Sequence, residues 1–131
     1  MIANVIVETA ADGYYSCYVE KEFKDFALFG YGNSAEEAKA DMLESYNEIA
    51  ELKAKGGKKL PDLEFVYHYD MRSFFNYFNF LNVTKVAERA GINPSLMRKY
   101  TSGVAKAGQK QYDKLSAAVK EFSRGLQMAA F

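Results

Sequence analysis

Asn93, Ser95, Arg98, Lys99 and Ser102 all fall between Gly91 and Gly103. Each has a hydrogen-bonding side chain, and two of the five are cationic. A lysine can donate to guanine O6 or N7, and an asparagine amide can pair with adenine. That chemistry needs the five side chains on one outward stripe of a helix whose other face is held by a core. The segment meets this requirement. Leu96, Met97 and Tyr100 recur at helical spacing, with Met97 and Tyr100 expected inward and the polar residues outward. Lys85, Lys106 and Lys110 are placed to meet phosphates, which would give strongly salt-dependent binding.

The flanking elements set up this helix. VTKVAERA (83–90) has Val83, Val86, Ala87 and Ala90 at helical spacing. Asn82 can cap its start, and Gly91 supplies the positive φ of a sharp helix stop. Ile92 fills the corner. Asn93 caps the following helix, Pro94 takes its first position and Gly103 ends it. Ala87 is the small residue that lets the first helix approach the second. Upstream, Asp70 can cap an aromatic helix, MRSFFNYFNFL (71–81), with Met71, Phe74, Phe78 and Leu81 as its stripe. Downstream, a helix over 108–127 has Tyr112, Leu115, Val119, Phe122 and Leu126 as its expected buried stripe.

The 131 residues suit one medium domain or two small ones, and a hydrophobic fraction of 49% excludes a disordered chain. The net charge of zero hides a division. Residues 1–69 hold 13 acids against 7 bases, and residues 70–131 hold 4 against 10. An acidic half and a basic half suggest two modules with different partners, the basic one suited to a phosphate backbone. The single cysteine excludes an internal disulfide framework and suits a reducing compartment. The apolar runs are too short to span a bilayer. A soluble cytoplasmic protein is expected.

The first half alternates. IANVIVET (2–9) is rich in β-branched residues, and Ala11, Asp12 and Gly13 signal a turn. In YYSCYVE (14–20), Tyr15, Cys17 and Val19 share one face of an antiparallel strand. FALFGYG (26–32) is a third strand, bent near Gly30 and Gly32. SAEE at 34–37 matches a capping box, with acids in the first helical turn where the dipole favours them. Ala38, Met42, Leu43, Tyr46, Ile49 and Ala50 form the stripe of this helix, which stops at Gly56-Gly57. LEFVYHY (63–69) is the fourth strand. The order is β-β-β-α-β.

Enzyme chemistry finds little purchase. His68, the lone histidine, lies between two tyrosines with no carboxylate or cysteine at ligand spacing. Cys17 has no base nearby in sequence and reads as a small apolar group. Glu36, Glu37, Asp41, Glu44 and Glu48 read as a solvated helix face. No phosphate loop, metal spacing or nucleophile elbow occurs, so no catalytic residue, metal or cofactor is expected.

The opening strand, the turn ADGYY and above all GYGNSAEEAKADMLESYNEIAEL resemble the HicB antitoxin family over residues 2–69. The resemblance implies a shortened RNase H-like unit without the acidic cluster of a working nuclease. The chain departs from the pattern at EKEFKDFALFG, where many members have a Pro-Gly-Cys-like turn. The 82–103 segment resembles phage-repressor-type helix-turn-helix domains. That resemblance puts Asn93, Ser95 and Lys99 at base-contacting places, Arg98 and Ser102 at flanking or backbone-facing places, and Thr84 in a phosphate-contacting region. Pro94 stands where many repressors have a polar reader.

The expected fold class is α+β: a β-β-β-α-β RNase H-like domain over 1–69, then an all-α helix-turn-helix domain over 70–131. The expected function is that of an antitoxin. Its first domain would neutralise a HicA-like mRNA-cleaving toxin, and its second would bind operator DNA and repress its own operon, as a homodimer or larger. The alternatives are a solitary transcription regulator and, from a different class, a metal-dependent nuclease.

Overall fold

The computed structural model describes residues 1–10, 12–20, 23 and 26–131. Ala11 of the expected turn, and Lys21, Glu22, Lys24 and Asp25 of the departing segment, lie outside the described residues. The fold is α+β, with a four-stranded mixed sheet and five helices among the described residues. It divides into two compact units, Met1–Tyr77 and Phe78–Phe131.

The first unit is a sheet with helices. β1 (Ile2–Thr9), β2 (Tyr15–Val19), β3 (Phe29–Gly32) and β4 (Glu64–Tyr69) lie in the order β3-β2-β1-β4. β1 pairs antiparallel with β2 and parallel with β4, and β2 pairs antiparallel with β3. A parallel pair cannot be closed by a tight turn, so the chain needs a long crossover before β4. α1 (Ala35–Lys55) lies within that crossover. The period of two puts Ala3, Val5 and Val7 of β1 with Tyr15 and Cys17 of β2 on the covered face, against Ala35, Ala38 and Met42 of α1.

β3 comes so close to α1 that a Cβ on Gly30 would lie 2.2 Å from the Ala38 carbonyl oxygen. Glycine at this position within β3 is therefore a packing requirement. Ser34 caps α1 by accepting from the Glu37 amide at 3.0 Å, as the capping box predicts. The Glu37 carboxylate reaches back one residue further than expected and accepts from the Asn33 amide at 2.7 Å. Leu43, expected in the stripe, is exposed.

α2 (Met71–Tyr77) belongs to the first unit, whereas the expected boundary fell before it. Asp70 caps it, accepting from the Ser73 amide at 2.7 Å. Ser73 is fully buried and donates to the Val7 carbonyl at 2.8 Å, and the Asn76 side chain accepts from the Ala35 amide. These bonds fasten α2 to β1 and α1. The helix is shorter than the expected 71–81, and Met71, Ser73 and Phe75 are its buried residues. Phe74 and Phe78 are only half-buried, and Phe80 is exposed.

The second unit is helical: α3 (Val83–Ala90), α4 (Pro94–Ser102) and α5 (Gln109–Met128). Asn82 caps α3 through the Lys85 amide. Gly91 closes it at φ 70°, and the Ile92 amide donates back to the Ala87 carbonyl at 2.9 Å. Val86, Ala87, Ile92, Met97, Leu115 and Ala118 make the core. In α5 Leu115 is buried as expected, but Ala118, outside the expected stripe, is buried too and Leu126 is 66% exposed.

Candidate nucleic-acid interface

α4 begins at a turn of only three residues, Gly91 to Asn93, after α3. Gly91 takes the left-handed conformation without a Cβ penalty, and Ile92 anchors the corner in the core. Met97 is fully buried and Tyr100 half-buried, so the register of α4 follows from its apolar residues. Asn93, Ser95, Arg98, Lys99 and Ser102 are all exposed.

The Arg98 guanidinium joins two other candidate residues. It donates to Thr84 Oγ1 at 3.5 Å and to Ser95 Oγ at 3.2 Å. Thr84 on α3 and Ser95 on α4 thus share one polar edge. Asn93 Oδ1 accepts from the Ser95 amide at 2.9 Å and from the Leu96 amide at 3.4 Å. This cap occupies the oxygen that a two-point adenine contact would use, leaving the Asn93 NH₂ free of that duty. Ser102 Oγ donates to the Lys99 carbonyl at 3.2 Å. Lys99, Lys106 and Lys110 are exposed and make no side-chain hydrogen bond or ion pair among the described residues. An ammonium in that state can exchange water for phosphate or a base edge without breaking an internal bond.

The charge division follows the units. Met1–Tyr77 holds 14 acids and 8 bases, and Phe78–Phe131 holds 3 acids and 9 bases. Lys85 is engaged with Glu88 at 3.8 Å on the exposed face of α3, a pairing of little energetic weight. Lys114 was not among the expected site residues. Its ammonium reaches the Gly91 carbonyl at 3.5 Å, where it complements the C-terminal end of α3.

The first unit has two features of its own. On the open face of the sheet, Ile6, Tyr18 and Phe29 are in register across three strands, and Ile6 also pairs with His68. Phe29 is 51% exposed and Tyr31 62%. Period-two alternation announced this face, but only strand pairing aligned the row. On the covered side, Lys39 of α1 stands over the rings of Tyr67 at 3.9 Å and Tyr77 at 3.7 Å, and donates to the Tyr69 hydroxyl at 2.9 Å. Burial works to lower the Lys39 pKa, but hydrogen bonds to Tyr69 and Tyr77 outweigh it and the net shift is upward. Burial also raises the phenols of Tyr67 and Tyr69, with Lys39 opposing. No sequence signal links a helix lysine to three tyrosines this distant, because the juxtaposition is made by the sheet.

Cys17 is buried, and burial pushes its thiol up to about 11 despite the nearby Lys39 charge, so it is a poor nucleophile. His68 is exposed, with Nε2 2.9 Å from Asn4 Oδ1. Among the described residues, no three His, Cys, Asp or Glu side chains gather as a metal-holding group. Among the described residues, no helix is long and apolar enough to cross a membrane.

Comparison with known protein families, curated proteins and solved structures returns no match.

Proposed function

We propose that this chain is a two-part regulator of the HicB antitoxin kind, whose second unit reads DNA and whose first unit binds a protein toxin. The observation that carries the DNA reading is the exposed polar stripe of α4, held by a buried Met97 and a three-residue turn. This is the arrangement by which a helix-turn-helix lays a recognition helix in the major groove and reads bases from its N-terminal part. Ser95 and Lys99 are the base readers. Arg98 and Thr84 hold the polar edge, and Asn93 mainly sets the start of the helix. Lys106 and Lys110 meet phosphates.

The toxin-binding reading draws support from the sheet. The order β3-β2-β1-β4, with β4 parallel to β1, is compatible with a shortened RNase H-like unit. Its open face presents exposed Phe29 and Tyr31 beside half-buried Tyr18 within an acidic unit, which suits a small basic partner. The mechanism is steric: one unit occupies DNA while the other covers the toxin, and neither needs a cofactor.

Binding to DNA from the chain's own operon tests the reading. Ser95→Ala with Lys99→Ala should cost roughly 1–3 kcal/mol against the preferred site and less against unrelated DNA. Lys106→Ala with Lys110→Ala should weaken binding to all sequences and reduce the salt slope by about 2. Fluorescence anisotropy over a salt series separates the two effects. A folded protein with no salt-dependent binding to any duplex would sink the proposal.

A further inference from the structure

α5 carries its apolar stripe past the core that could cover it. Leu115 and Ala118 are buried, Phe122 is half-buried and Leu126 is 66% exposed. The second half of the helix therefore lines a groove of about 550 Å³ against α3, with Leu81 and Val86 on the other wall. Gly125 lies in this groove. A Cβ there would meet nothing within 4 Å, so no packing inside the unit asks for glycine. A glycine inside a helix costs about 1 kcal/mol relative to alanine. What it offers is close approach by another backbone.

The groove is also self-complementary in charge. Arg89 on α3 and Glu121 on α5 both line it, and neither side chain has an ion-pair or hydrogen-bond partner among the described residues. A two-fold arrangement sets the same patch against itself, so a contact of Arg89 with Glu121 of the other copy would occur twice. An unrelated partner would have to supply both charges in the same spacing.

We infer that the α3–α5 groove is the site where a second copy of this chain docks, with Gly125 as the point of helix approach and Arg89–Glu121 as reciprocal pairs. Thr84, the α4 stripe, Lys106 and Lys110, to which the DNA reading is assigned, do not line this groove, so one unit can use both. The inference does not rest on DNA binding.

The test is the mass of the full chain in solution without DNA, by sedimentation velocity or light scattering from micromolar concentration upward. The expected result is a two-chain species. Leu126→Glu, at an exposed position, should yield single chains with unchanged circular dichroism. Glu121→Arg should weaken association, and adding Arg89→Glu should restore it. A single-chain mass for the native protein overturns the inference and leaves the groove to a different occupant. A two-chain mass that survives Leu126→Glu overturns it too, as does failure of the double reversal to restore association. Because no DNA is present, none of these results bears on the reading of α4.

Discussion

The two units reach order by different routes. In the first, residues far apart in the chain must meet: β1 pairs with β4 from Ile2↔Glu64 to Val7↔Tyr69, and Ser73 donates to the Val7 carbonyl. In the second, the decisive features are local. Asn82, Gly91, Asn93 and Gly103 each set a helix end through their own geometry or a nearby amide. A unit built on non-local pairing is vulnerable at points of close approach between elements. One built on local signals is vulnerable at its caps and turns. Their chemistry differs in the same way: the first is acidic, with chemistry-bearing groups assembled across strands, and the second is basic, with its candidate readers along one helix.

The largest break in this comparison should come from Gly30→Val. The new side chain would collide with α1 backbone that cannot yield cheaply. The expected cost is about 3 kcal/mol or more, at or beyond the usual range for overpacking. Amide NMR should show the first-unit resonances broadened or lost, with those of Val83–Met128 retained. Equal loss in both units would mean that they do not order separately.

Gly91→Ala should have a smaller effect, about 1–2 kcal/mol, because alanine must then hold a left-handed φ of 70°. No neighbour obstructs the added Cβ, so the cost is conformational rather than steric. Urea unfolding followed at second-unit amides measures it. An effect as large as that of Gly30→Val would show that the turn is not a local device.

The smallest effect is in pH. The Cys17 pKa is raised by burial from the ordinary 9.0 to about 11, so the folded chain keeps a proton that the unfolded chain loses in that window. Stability conferred by the buried neutral thiol is full below about pH 9 and lost as pH rises toward 11. The raised phenols of Tyr67 and Tyr69 act in the same direction above the ordinary tyrosine value. Raised Lys39 adds to it, since its contribution is lost as pH climbs through its folded pKa. Cys17→Ala should flatten the fall in thermal midpoint between pH 9 and 11 without abolishing it. An unchanged slope would remove Cys17 from the account.

Much of this was legible in the sequence where a residue acts on its neighbours. Ser34, Asp70, Asn82 and Asn93 cap the helices they precede, and Gly91 and Gly103 have the positive φ their positions demand. The exposed stripe on α4 could be read because Met97 and Tyr100 settle which way the helix faces. Other features lay beyond local reasoning. The helical spacing through Phe74, Phe78 and Leu81 suggested a longer α2 with a different buried face. Asp70, Ser73 and Asn76 fasten it instead through bonds to its own first turn, β1 and α1, and it stops at Tyr77. Leu126 continues a convincing stripe, yet periodicity cannot say where a helix outruns its core.

Composition, caps and alternation by themselves determined an α+β chain with an acidic sheet portion and a basic helical one, because these signals act within a few residues or sum over many. Only the tertiary structure decided the strand order, the closeness of β3 to α1, the Lys39–tyrosine cluster, the loss of Asn93 Oδ1 to a cap and the uncovered half of α5. Each of these depends on which distant residues are brought together, and that is settled by packing.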